Sequence, residues 1–304
     1  MVLLMESIIN KIKKECPNLK LLENEPMSRH CSFRIGGPVR AMALPESEEE
    51  LAAICAALRE RGEKPLIIGN GTNLLVTDVP LNRLVIKTEK LCRFKAEEDR
   101  VTAQCGASLA RLAVFAQQNG LTGLEFAHGI PGSLGGAVSM NAGAYGGEMK
   151  NFVVSTTFLD EDLKLRTITG DEHDFSYRHS VFSDTDCVII ENSLKLSAGD
   201  SGEIRARMEE LAEKRKTSQP LDKPSAGSTF KRPQAGYAAA MIDEAGLKGF
   251  TIGGAAVSEK HAGFVVNLGG ACFEDVRLVI EHVQETVYKK TGVRLEPEVK
   301  IITA

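Results

Sequence analysis

Gly129, Gly132, Gly135, Gly136, Gly143, Gly146 and Gly147 fall within one short stretch, His128 to Gly147, where average usage supplies about one or two glycines. Such density marks backbone that must adopt positive φ or lie closely against something. The residues between are small, among them Ser133, Ala137, Ser139, Ala142 and Ala144. That composition lets backbone N–H groups approach phosphates, as anion-binding nests do. It also suits a tightly wound structural turn. A second loop, Gly69-Asn70-Gly71-Thr72-Asn73, sits between two apolar strands and favours the reading of a cradle for a bound cofactor.

Three further spots carry side chains that could do chemistry. Ser228 follows a glycine in Ala226-Gly227-Ser228-Thr229-Phe230-Lys231. Arg178 lies in the polar stretch Tyr177-Arg178-His179-Ser180. Glu298 lies in a Pro-Glu-Val step near the end of the chain. Taken singly, each also reads as a turn serine, a solvated arginine and a carboxylate on an exposed strand face. The six histidines are scattered, and none pairs at metal-ligand spacing.

Several chemistries are absent as motifs. Gly69-Asn70-Gly71 begins like a dinucleotide fingerprint, but Leu74 occupies the third glycine position and a strand follows rather than a helix. No P-loop, H-E-x-x-H or G-x-S-x-G segment occurs. The net charge of −4, with no lysine or arginine tract, gives no footprint for nucleic acid. Seven dispersed cysteines without a C-x-x-C pair disfavour zinc knuckles and disulfide frameworks and fit a reducing cytosol. The apolar start, Met1 to Met5, is too short for a signal segment, and no run reaches membrane-spanning length. A cytoplasmic protein follows.

The elements that must position these residues alternate along the chain. Ser47 and Glu50 form a capping box before a helix with Leu51, Ile54, Cys55 and Leu58 on one face, ended by Gly62. Pro65–Ile68, Leu74–Val76 and Leu84–Ile86 read as strands. Ser108 caps a helix bearing Leu109, Leu112 and Ala116, closed by Gly120. Val153–Phe158 and Val188–Ile190 are strands flanking the polar stretch Asp171 to Asp186. A charged helix spans Glu203–Lys216, and Lys216–Pro224 reads as a linker. Beyond it come a helix over Ala238–Ala245, a strand over Phe264–Asn267, a long helix over Glu274–Lys290 and an alternating strand over Arg294–Ile301. In that last strand Leu295, Pro297, Val299 and Ile301 share one face.

Taken together, these segments resemble the UDP-N-acetylenolpyruvoylglucosamine reductase family, the UDP-N-acetylmuramate dehydrogenases. The resemblance rests on Arg29 to Gly37, Gly69 to Val76, Ile130 to Ala137, Asn141 to Gly146, Tyr177-Arg178, Ala226 to Lys231, Ser258 to Phe264 and Leu295 to Val299. It implies an α+β protein in which an FAD-binding domain of the vanillyl-alcohol oxidase (PCMH) type precedes a smaller α/β substrate-binding domain. The expected division is 1–200 for FAD, in two subdomains split near residue 90, and 201–304 for substrate, with 201–224 as connecting helix and linker. Compactness suggests the shorter form, lacking an extra tyrosine-bearing loop. Cys31, Thr72 and Arg232 stand where threonine, serine and asparagine are usual in the family.

The resemblance also implies chemistry. NADPH is the hydride source and FAD the cofactor, its contacts being Gly69, Asn70, Gly71, Thr72, Asn73, Ile130, Pro131, Gly132, Ser133, Gly135, Gly136 and Ala137. Arg178, Ser228 and Glu298 match the family's catalytic positions. An enolpyruvyl ether receives hydride at one carbon and a proton at its neighbour; Arg178 meets the charge between those events, Ser228 gives the proton and Glu298 assists. The expected partners are small molecules only. An FAD-dependent oxidase of the same superfamily and a non-catalytic nucleotide-binding module are the rival readings.

Overall fold

The computed structural model describes residues 2–183 and 185–303. Met1 of the apolar start and Asp184 of the polar stretch lie outside the described residues. The chain forms two compact units, one of Met1–Glu23, Arg40–Asn70 and Asn82–Glu213, the other of Asn24–Val39, Gly71–Leu81 and Lys214–Ala304. Both units contain helices and mainly antiparallel strands, in keeping with an α+β protein.

In the first unit, helix Val2–Glu15 places Met5, Ile8, Ile9 and Ile12 on one buried face and packs on helix Glu48–Arg59. The latter buries Leu51, Ile54, Cys55 and Leu58, the stripe its spacing dictates. Ser47 Oγ accepts the Glu50 N–H at 3.2 Å, while the Glu50 carboxylate reaches back to the Glu46 N–H at 2.8 Å. The reciprocal half of the capping box therefore falls one residue early. Ser108 is the N-cap of helix Leu109–Gln118 but makes no side-chain cap bond.

A five-stranded sheet runs in the order Leu165–Thr169, Val153–Leu159, Val188–Lys195, Arg100–Gln104, Phe94–Glu97, antiparallel throughout. The short helix Leu134–Ser139 lies on it, which is how the His128–Gly147 segment is held. The charged helix extends over Ser201–Ser218 and buries only Ile204, Met208 and Leu211. Burial pushes the thiols of Cys55 and Cys105 up to about 12, so both stay protonated at neutral pH.

In the second unit, helix Phe273–Thr291 buries Val276, Val279, Ile280, Val283 and Val287. They join Phe33, Ile35 and Leu75 in one core. Beneath lies an antiparallel sheet of Thr251–Ile252, Ala255–Val257 and Val265–Asn267. The expected continuous strand over Arg294–Ile301 is instead two pieces. Pro297 bridges Phe230 antiparallel, and Lys300–Ile302 then pairs in parallel with Leu74–Val76. Leu295 and Val299 are buried as expected, but Ile301 is exposed, because the chain changes pairing partner after Val299. Among the described residues no helix is long and apolar enough to cross a membrane.

Candidate active site

Strand Leu66–Ile68 pairs in parallel with Leu81–Lys87, Ile68 opposite Lys87, and delivers the chain to Gly69. A Cβ at Gly69 would fall 1.9 Å from Ser133 Oγ. Asn70 Nδ2 donates to the Pro131 carbonyl at 2.8 Å. The start of this loop is thus seated on the His128–Gly147 segment of the same unit.

That segment is pinned from behind. The Leu109 N–H donates to Gly132 O at 3.1 Å, Leu134 N–H to Ala107 O at 2.8 Å and Gly135 N–H to Cys105 O at 2.7 Å. Ser133 and Ala137 are buried, Ile130 and Gly132 half-buried, Pro131 and Gly136 exposed. Among the described residues of this unit, the backbone N–H groups of Asn70, Gly132 and Ser133 have no protein acceptor. N–H groups left open in a glycine loop suit anionic oxygen.

The rest of the Gly69–Asn73 loop belongs to the second unit. Gly71 sits at φ +64°, and a Cβ there would lie 2.0 Å from the His30 carbonyl oxygen. Its own carbonyl accepts the Ser32 N–H at 3.1 Å. Both the left-handed backbone and the close approach exclude a side chain. Asn73 Nδ2 donates to the Glu298 carbonyl at 3.0 Å, and Asn73 O accepts the Lys300 N–H at 2.9 Å. Thr72 is half-buried. Among the described residues the N–H groups of Gly71, Thr72 and Asn73 also lack a protein acceptor.

Ser228 and Glu298 are brought together by the same backbone. Glu298 N–H donates to Thr229 O at 2.8 Å, and Lys231 N–H to Glu296 O at 2.8 Å. Thr229, buried, is held again by its N–H to Gly263 O at 2.8 Å and by its Oγ1, which accepts the Val265 N–H at 2.9 Å. Ser228 itself is exposed and Glu298 half-buried. Gly227, at φ +75°, makes the turn that precedes the serine.

Arg178 lies in the first unit, in a two-residue turn closed by reciprocal bonds between Ser176 and His179 at 3.1 and 3.2 Å. Its backbone takes φ +56°. Its Nη2 donates to the Gly143 carbonyl at 3.3 Å, and its Cζ lies 5.1 Å from the Tyr177 ring centroid. Gly143 belongs to a small hairpin in which Gly143–Ala144 pairs with Gly147–Glu148. The sequence assigns no role to Asn141 or Glu148, yet Asn141 is buried at the base of this hairpin. An asparagine leading into a glycine run was the available signal. Among the described residues no cluster of histidine, cysteine or carboxylates could hold a metal.

Residues 39–169 match the family model described as FAD binding domain, and residues 219–302 match UDP-N-acetylenolpyruvoylglucosamine reductase, C-terminal domain. The UDP-N-acetylenolpyruvoylglucosamine reductase of Caldanaerobacter subterraneus subsp. tengcongensis is 47% identical over 297 residues, covering 98% of each chain. That of Clostridium tetani is 48% identical over 279 residues, covering 92% of this chain and 91% of the relative. The crystal structure of UDP-N-acetylenolpyruvylglucosamine reductase from Thermus caldophilus superposes with a TM-score of 0.80 at 32% identity, covering 94% of this chain and 99% of that one.

Proposed function

The chain belongs to the UDP-N-acetylenolpyruvoylglucosamine reductase family, and from that membership we propose that Arg178, Ser228 and Glu298 carry its reaction while the two glycine loops seat FAD. The protein is a flavoenzyme. It reduces the enolpyruvyl double bond of UDP-N-acetylenolpyruvoylglucosamine with NADPH and yields UDP-N-acetylmuramate for peptidoglycan synthesis.

The residues fit the cofactor. In the first unit the open N–H groups of Asn70, Gly132 and Ser133 suit the acceptor oxygens of a pyrophosphate; in the second, those of Gly71, Thr72 and Asn73 are donors of the same kind. Bound there, FAD supplies the hydride relay from NADPH to the enolpyruvyl group. Residues 1–200 form the FAD-binding domain and 201–304 the substrate-binding domain, with 201–224 as connecting helix and linker. We assign the protein to the cytoplasm, in keeping with cysteines that form no disulfide.

Arg178 grips the substrate carboxylate. A guanidinium offers a positive charge on a planar fork of donors, so it opposes the negative charge that collects on the aci-carboxylate. The Ser228 hydroxyl gives its proton to the carbon next to that group. A serine is a weak acid, but the aci-carboxylate is a strong base. Glu298 polarises the intermediate or relays the proton that restores the serine. The observation that carries this assignment is the bond from Glu298 N–H to Thr229 O, which sets Ser228 and Glu298 on adjoining chains.

The test is direct. The purified protein is expected to be yellow and to oxidise NADPH only when the enolpyruvyl substrate is present. A colourless protein, or oxidation indifferent to that substrate, overturns the reading. Gly71→Ala is expected to lose most of its flavin. The new Cβ meets the His30 carbonyl and forces a non-glycine residue to positive φ, a strain of about 1–3 kcal/mol. The ratio of absorbance at 450 nm to that at 280 nm, measured after purification, checks it; an unchanged ratio means the loop tolerates the side chain.

A further inference from the structure

Asn141 is fully buried, at 0% exposure, and its backbone sits at φ +44°. Its amide uses its full donor capacity. Nδ2 donates to Glu148 Oε2 at 2.9 Å and to the Ser176 carbonyl at 2.9 Å, while Oδ1 accepts the Lys150 N–H at 2.9 Å. These partners lie on two different supports of one side chain. Ser176 is the first residue of the turn that carries Arg178. Glu148 and Lys150 fix the hairpin whose Gly143 carbonyl receives the Arg178 guanidinium.

Arg178 needs such support. A non-glycine residue at φ +56° costs about 1–3 kcal/mol and persists only where its surroundings hold it. The reciprocal bonds of the Ser176–His179 turn fix its local shape but not its place on the hairpin. The Asn141 amide bonds both. An amide is required: an aspartate at 141 keeps an acceptor for Lys150 but loses both Nδ2 protons and sets a carboxylate against Glu148 and the Ser176 carbonyl.

We propose that Asn141 is a positioning residue for the reduction, fixing the Arg178 guanidinium where the substrate carboxylate must be met. This rests on the reading of Arg178 given above. Misplacement of a binding group by about 1 Å costs about 10²-fold in rate, so the effect belongs to the step Arg178 serves and to no other.

The test uses stopped-flow absorbance on the flavin-loaded protein, resolving reduction by NADPH from reoxidation by the enolpyruvyl substrate. Asn141→Asp is expected to slow reoxidation about 10- to 100-fold, with reduction by NADPH within about twofold. Should the aspartate variant not fold, Asn141→Gly removes the amide and accepts the positive φ, and it is measured in the same way. The second readout is coupling. In an Arg178→Ala background, the Asn141 change is expected to slow reoxidation further by no more than about threefold, since nothing is left to position. Equal factors with and without Arg178, or a matching loss in flavin reduction, overturn the positioning role alone. If Arg178→Ala reoxidises normally, the reading of Arg178 fails and this inference falls with it.

Discussion

Ser228→Ala is expected to slow reoxidation of the reduced protein by the enolpyruvyl substrate at least about a hundredfold, since general acid catalysis contributes about 10²- to 10⁴-fold. Reduction by NADPH should not change, because hydride transfer to the flavin asks nothing of a proton donor on the substrate side. The substitution is clean on structural grounds. Ser228 is exposed, and the backbone beside it is held through Thr229 by bonds to Gly263, Val265 and Glu298. Deleting the hydroxyl therefore leaves the neighbouring chain where it is. Exposed substitutions away from caps and networks usually stay within about 0.5 kcal/mol of the parent in stability.

A hundredfold loss corresponds to about 2.7 kcal/mol of transition-state stabilisation, well above that stability change. The two effects separate experimentally: stopped-flow traces at 450 nm for each half-reaction, and a thermal melt. Near-normal reoxidation removes Ser228 from the role. Equal slowing of both half-reactions also removes it, since that pattern points to a disturbed flavin site rather than a lost proton.

Local signals in the chain map well onto its elements, and long-range ones do not. The helix over Glu48–Arg59 follows from Ser47, Glu50 and a stripe at helical spacing, all within one short segment. Glycine density correctly marks backbone under constraint, but not the cause. At Gly69, Gly71 and Gly135 the space a Cβ would need is taken by Ser133, His30 and Cys105, residues distant in sequence that no local pattern announces. The last strand misleads for a related reason. Its alternation from Leu295 to Val299 is real, yet the change of partner from Phe230 to Leu74–Val76 is a tertiary event, and Ile301 turns outward with it. Asn141 stands out in sequence only as an asparagine leading into a glycine run; its bond to Ser176 is reached only through the fold.

Arg178 carries the other large expected loss. Arg178→Ala should slow reoxidation by about 10²- to 10³-fold, the range for removing one preorganised donor from a developing oxyanion. Arg178→Lys keeps the charge but loses the planar fork, and it should recover only a minor part of that loss. The backbone supplies a control that separates chemistry from folding. At φ +56° a side chain costs about 1–3 kcal/mol that glycine does not. Arg178→Gly should therefore melt no lower than Arg178→Ala and higher if the strain dominates, while reoxidising just as slowly. A glycine variant that melts below the alanine variant means that the chain entropy glycine adds to the unfolded state outweighs the strain relieved at this φ. A glycine variant that retains fast reoxidation means the arginine never met the substrate's charge. Strain kept at a residue whose removal costs activity and not stability is the pattern expected where function, rather than packing, selected the side chain.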